Sequence, residues 1–338
     1  MNMKKVVFFE TKPWEVDYVN GSLKDFEVEF CEEKLTAENV EKYADAEVIS
    51  SFIGSTFTSE VLSKLKSLKM IATRSTGYDH IDLDYCKNSN ILVSNVPSYG
   101  ENTVAEHAMA LLLSLSRRIP ESIDRVRANS FIPEGLTGRD LKGKVMGVLG
   151  TGHIGKNMIA YSLAFGMKVL AYDLYPDEKF ASEAGFSYAE LDYLFAKADV
   201  ISLHLPYTKE THHVINKEAI SKMKKDVVII NTARGGLIET DALFDGLSSG
   251  KVGGAGLDVL EEEKFLSEEV VLLHMDNHGE VNFKVALENH MMAHLPNVII
   301  TPHNAFNSKE ALERIITTTI DNVKCYFGGS CKNLVAHQ

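Results

Sequence analysis

The chain has 338 residues, more than the roughly 100–200 usual for one domain, so two compact units are expected. Its 45% hydrophobic, 24% charged and 9% aromatic residues are the balance of a globular protein and exclude disordered, collagenous and membrane-embedded classes. A formal net charge of −12 disfavours nucleic acid and anionic membrane as partners.

The first residues, MNMKKVVFFE, set two lysines before an apolar stretch too short for a signal-peptide core, so export is not expected. Short β-branched runs follow at Val6 to Phe9, Glu27 to Phe30, Glu47 to Phe52, Met70 to Thr73 and Ile91 to Ser94. Helical spacing of Val61, Leu62, Leu65 and Leu68 lies between them, and together these read as one α/β unit. A longer helix is predicted from Glu101 to about Arg118, bridging two units, with Val104, Ala105, Ala108, Met109, Leu112 and Leu115 on its apolar face. Glu106, His107 and the Arg117-Arg118 pair keep it from being a membrane span.

A second set of strands is predicted at Val145 to Leu149, Lys168 to Tyr172, Val200 to Leu205, Val227 to Asn231, Gly256 to Val259 and Val298 to Thr301. Six such strands suit a dinucleotide-binding sheet. The last helix, Lys309 to Phe327, is expected to pack on the first unit, which makes that unit discontinuous in sequence. Cys31, Cys86, Cys325 and Cys331 form no CxxC pair and read as free thiols in a reducing cytoplasm, with no metal site.

Gly150, Gly152 and Gly155 form G-x-G-x-x-G between a predicted strand and a predicted helix, the context in which backbone N–H groups can cradle a pyrophosphate. Asp173 closes the next strand, 18 positions after Gly155, where a carboxylate can bind a ribose and repel a 2′-phosphate. NAD is therefore favoured over NADP. His204, at another strand end, is read as a wall of the cofactor pocket. Arg234 and His303 follow two further strands, and Asp258 and the string Glu261 to Glu263 lie between them. Hydride transfer to a keto acid needs this set: a guanidinium to hold a carboxylate and polarise the carbonyl, a histidine to protonate the alkoxide, and an acid to orient the histidine. His212 and His213 read as loop residues.

RSTGYDHID at Arg74 to Asp82, NVPSY at Asn95 to Tyr99, AEH at Ala105 to His107, the GTGHIG turn, Asp226 to Gly235, Gly256-Leu257-Asp258 and Thr301-Pro302-His303 together resemble the D-2-hydroxyacid dehydrogenase family, most closely its NAD-dependent D-lactate branch. The likeness covers nearly the whole chain. It implies two doubly wound parallel-sheet domains: a Rossmann-type NAD-binding domain at residues 102–302, inserted into a flavodoxin-like catalytic domain at residues 1–101 and 303–338.

The resemblance implies a catalytic set of Arg234, Glu263 and His303, the glutamate falling five positions after Asp258. It implies cofactor contacts from His153 and Ile154 at the turn, Asp173 at the ribose, Leu205, Pro206 and Thr211 around the adenosine half, and Thr232, Ala233 and Asp258 near the nicotinamide. Thr76 and Gly77 would grip the substrate carboxylate through backbone N–H groups, with Phe52 and Tyr99 lining the pocket. The implied activity is NADH-dependent reduction of pyruvate or a close 2-keto acid to the D-hydroxy acid, by a cytoplasmic homodimer. Glu263 differs from the glutamine of the family's formate dehydrogenases. An extended loop across the 40 positions from Glu263 to His303 suits the D-lactate and D-2-hydroxyisocaproate branch. Asn307 stands where these relatives place an aromatic, which bears on the preferred side chain. An NAD(H)-sensing corepressor of the same fold is the alternative from another class.

Overall fold

The computed structural model describes residues 4–263 and 282–335. The chain divides into two compact units, Met1–Tyr99 with Ser308–Gln338, and Gly100–Asn307. Unit one holds β1 (Lys5–Phe8), β2 (Glu27–Phe30), β3 (Val48–Ser51), β4 (Met70–Thr73) and β5 (Leu92–Ser94), all parallel in the order β2-β1-β3-β4-β5. The central strands are apolar on both sides because both faces of the sheet are covered. Val7, Ile49, Ile71 and Val93 point to one face with Phe57, Val61 and Leu62, whereas Val6, Phe8, Val48, Met70 and Ala72 point to the other. There they meet Ile316, Ile320 and Val323 of the helix Lys309–Phe327. Ser308 starts that helix by accepting a hydrogen bond from the Ala311 N–H.

Unit two holds β6 (Val145–Leu149), β7 (Lys168–Tyr172), β8 (Ser187–Tyr188), β9 (Val200–Leu203), β10 (Val227–Asn231), β11 (Val252–Leu257) and β12 (Val298–Ile300). They form one parallel sheet in the order β12-β11-β10-β9-β6-β7-β8. The order reverses between β6 and β9, so the carboxyl ends of these two strands flank a crevice. Ala105, Ala108, Leu111 and Leu112 of the helix Glu101–Ser116 pack with Met146, Val148 and Ile230 of unit two.

The structure corrects several predicted elements. β8 is a seventh strand that six predicted runs did not include, and β11 begins at Val252, four residues early, through a glycine-rich stretch with little strand propensity. The long helix stops at Ser116, and Arg118 turns left-handed at φ 50° before a second helix, Ile119–Arg127, that carries Pro120 in its first turn. The extended loop expected between Glu263 and His303 contains the helix Phe283–Ala293 and β12; its residues 264–281 lie outside the described residues. Cys31, Cys86, Cys325 and Cys331 are all free. No helix among the described residues is long and apolar enough to cross a membrane.

Candidate functional site

β6 runs into the glycine turn. Gly150 has φ +94°, and a Cβ there would lie 2.5 Å from the His204 carbonyl oxygen, so only glycine fits so close to the end of β9. Gly152 is the N-cap of the helix His153–Ala164, and its face is open: among the described residues nothing lies within 4 Å of where a Cβ would stand. The first intrahelical bond runs from the Lys156 N–H to the Gly152 carbonyl, which leaves the N–H groups of His153, Ile154 and Gly155 ahead of it at the positive end of the helix dipole. An open, donor-lined cradle of this kind fits a dinucleotide's pyrophosphate.

Asp173 follows β7. Its Oδ2 accepts from the Thr151 N–H at 2.6 Å and hydroxyl at 2.9 Å, and its Oδ1 from the Tyr175 N–H at 3.0 Å. Burial by itself would raise this carboxyl, but the bonds from Tyr175 and Thr151 outweigh it and hold the group below its ordinary value. The charge is thus fixed beside the glycine turn with acceptor capacity to spare for ribose hydroxyls.

At the end of β9, the His204 N–H donates to the Leu149 carbonyl at 2.7 Å and the ring Nε2 meets the Ser202 hydroxyl at 2.9 Å. Burial pushes this imidazole down to about 4, so it is neutral at physiological pH. Leu205 is buried in the sheet's core, and the exposed Pro206 accepts at its carbonyl from the Thr211 hydroxyl at 2.7 Å. After β10, Asn231 shapes the next turn: its side chain accepts from the Ala233 N–H at 3.0 Å and donates to the Arg234 carbonyl at 2.9 Å. The Thr232 hydroxyl is buried and has no partner among the described residues, the state of a group that a bound cofactor would satisfy.

β11 and β12 deliver the remaining chemistry. Asp258, only 1% exposed, accepts from the Asn304 N–H at 3.0 Å, the Ala305 N–H at 2.8 Å and the Thr301 hydroxyl, with His107 Nε2 at 3.5 Å. Burial would raise its carboxyl, and bonds from His107, Thr301, Ala305 and Asn304 together hold it below its ordinary value. These bonds fix the turn in which His303 takes φ +49°, a conformation costly for most side chains. His303 Nδ1 lies 3.0 Å from Glu263 Oε1. Burial would raise the Glu263 carboxyl too, but the His303 hydrogen bond and charge leave it lowered and therefore ionised. A carboxylate only accepts, so Nδ1 carries the proton and Nε2 is left to act on a ligand.

The acidic string splits into three roles. Glu261 accepts from His213 Nε2 at 2.7 Å and from the Thr240 hydroxyl at 2.7 Å, Glu262 is left-handed at φ 52°, and Glu263 meets His303. The structure thus brings together Glu263, His303 and Asp258. Arg234 stands at the end of β10 with its Nη1 donating to the Ala233 carbonyl at 2.8 Å. Sequence reasoning missed His107, Thr301 and His213 as functional candidates. The first two lay in the AEH and Thr301-Pro302-His303 motifs, but only the fold joins them to Asp258.

In unit one, Phe52, Thr76, Gly77 and Tyr99 follow the carboxyl ends of β3, β4 and β5. Phe52 donates its N–H to Glu10 Oε2 at 3.0 Å, the Thr76 hydroxyl donates to the Val96 carbonyl at 2.9 Å, and the Gly77 carbonyl accepts from the Ser75 hydroxyl. The Tyr99 carbonyl accepts from Arg314 Nε at 2.6 Å.

Residues 109–305 match the family of the D-isomer specific 2-hydroxyacid dehydrogenase, NAD binding domain. The chain is 38% identical over 335 residues to a D-lactate dehydrogenase of Escherichia coli, covering 97% of this chain and 99% of the relative. It is 40% identical over 289 residues to an aromatic 2-oxoacid reductase of Clostridium sporogenes, covering 84% of each. A crystal structure of the D-lactate dehydrogenase from Aquifex aeolicus, complexed with NAD and lactic acid, superposes with a TM-score of 0.85 at 41% identity, covering 98% of this chain and 99% of that one. The chain belongs to the D-isomer specific 2-hydroxyacid dehydrogenases, oxidoreductases that use NAD.

Proposed function

We propose that the protein reduces pyruvate, or a 2-keto acid of similar size, to the D-2-hydroxy acid with NADH, and catalyses the reverse reaction. The observation that carries this reading is the Glu263–His303 pair at 3.0 Å, at the carboxyl end of the sheet that also bears the glycine turn. Bound NADH supplies a hydride to the keto carbon. His303 gives its Nε2 proton to the oxygen that becomes alkoxide, while Glu263 stabilises the proton-bearing ring and Arg234 holds the substrate carboxylate and polarises its carbonyl. In oxidation the neutral ring takes that proton back. Incubation with pyruvate and NADH followed by chiral chromatography gives D-lactate; L-lactate as the main product overturns the assignment.

The cofactor reading has its own test. Because the Asp173 carboxylate would repel a 2′-phosphate and bind a 2′-hydroxyl, kcat/KM is much higher with NADH than with NADPH. Asp173→Ser narrows the gap, weakening NADH binding while relieving the repulsion of NADPH. Equal use of both cofactors by the unaltered protein contradicts this role.

A second reading, a substrate with a larger side chain as in D-2-hydroxyisocaproate dehydrogenases, is favoured by the Clostridium sporogenes relative named for aromatic 2-oxoacids. A panel of 2-keto acids of rising size separates the two by kcat/KM. The proposal includes a homodimer acting in the cytoplasm. Ile123 and Val126, 45% and 53% exposed on the helix Ile119–Arg127, offer an apolar face that suits such an assembly.

A further inference from the structure

Arg234 and Glu263 sit on two separate turns, after β10 and after β11, and unit two contains a specific tie between them. His213 is left-handed at φ 51°, and its N–H donates to the Gly236 carbonyl at 2.9 Å, two residues beyond Arg234. Its ring Nε2 lies 2.7 Å from Glu261 Oε1, two residues before Glu263. One residue therefore grips both turns. The other Glu261 oxygen accepts from the Thr240 N–H at 3.0 Å and hydroxyl at 2.7 Å, and its carbonyl accepts from the Asn289 amide at 2.6 Å, so the acid cannot swing away from the ring. Between the anchors the turns touch: a Cβ on Gly235 would fall 2.1 Å from the Leu260 carbonyl carbon. The Glu263 carboxylate itself reaches back to the Leu260 N–H at 3.4 Å.

We propose that His213 and Glu261 are positioning residues: a hydrogen-bonded strut that sets the spacing of the Arg234 turn from the Glu263 turn and so holds Glu263 against His303. The inference rests on the function proposed above. The contacts His213 and Glu261 make through these groups are with Gly236, Thr240, Asn289 and each other. Their effect passes through the placement of Glu263, and a displacement of about 1 Å at such a group can cost up to about 100-fold in rate. A capping role alone predicts something else: loss of stability and of NADH binding, with no special dependence on Glu263.

The test is a double-mutant cycle on the intact protein with pyruvate and NADH as probes. His213→Asn keeps a residue that accepts the left-handed backbone but is too short to reach Glu261. Its kcat falls about 10- to 100-fold, while the NADH dissociation constant, read by fluorescence titration, stays within about twofold. His213→Gln, whose amide N–H can reach Glu261, recovers most of the rate. In a Glu263→Gln background, His213→Asn costs less than about twofold, because the group it positions has already lost its function. Full activity in His213→Asn, or losses that multiply with Glu263→Gln, overturns the strut and leaves the proposed function standing. If Glu263→Gln leaves the pH limbs of both reaction directions unmoved, the proton-transfer role proposed for Glu263 fails and the strut with it.

Discussion

His303→Asn slows pyruvate reduction by about 10²–10⁴-fold, the usual cost of a lost general acid, while NADH binds nearly as before. Asparagine suits the test because the position is held at φ +49°, a region it tolerates better than most side chains, so little backbone strain is added. The side chain is too short to deliver a proton where Nε2 delivers it, and it cannot be protonated. The Asn304 and Ala305 N–H groups remain bonded to Asp258, so the turn survives and the loss falls on the chemical step. Single-turnover rates separate that step from product release. A variant that keeps a tenth or more of the rate shows that another group supplies the proton.

Asp258→Ala has the second large effect, and it acts on folding as well as on rate. The part-buried Asn304 N–H and the buried Ala305 N–H lose their acceptor, and a buried donor left unsatisfied costs about 1–3 kcal/mol. For a unit of this size each kcal/mol is worth about 2–4 °C in Tm. The turn that holds His303 also relaxes, so kcat falls by about 100-fold, in line with the cost of misplacing a catalytic group. The pH dependence has a definite sign. The folded-state value of Asp258 lies below the ordinary 3.8, so its contribution is fully present above that value and is lost as pH falls through the lower folded value. Thermal melts from pH 7 down to pH 2 therefore show the Tm difference between the two proteins shrinking only at the acid end. A constant difference across that range contradicts the assignment.

Much of the site was legible because parallel strands write themselves as apolar runs that stop abruptly at polar or glycine residues. Leu149 gives way to Gly150, Tyr172 to Asp173 and Leu257 to Asp258, so the residues at the carboxyl ends of the sheet stand out in the sequence. The two-residue β8 carried no such run, and the glycines of β11 hid its first half. Periodicity suggested the helix Glu101–Ser116 but not its end, because the break comes from a left-handed Arg118 that no apolar pattern records. Glu261, Glu262 and Glu263 show the deeper limit. They are identical side chains in a row, and only the fold gives one to His213, leaves one on a left-handed backbone and gives one to His303.

The dependence of kcat/KM on pH, in both reaction directions, for the unaltered protein and for Glu263→Gln tests the central claim most directly. Reduction consumes a proton from His303, and the Glu263 charge that favours the proton-bearing ring is removed while shape and hydrogen-bonding capacity are kept. The descending limb of reduction then moves to lower pH in the variant, and D-lactate oxidation, which needs the neutral ring, begins at lower pH. If both limbs stay where they are in the unaltered protein, Glu263 and His303 do not form the proton-transfer pair, and the mechanism is contradicted.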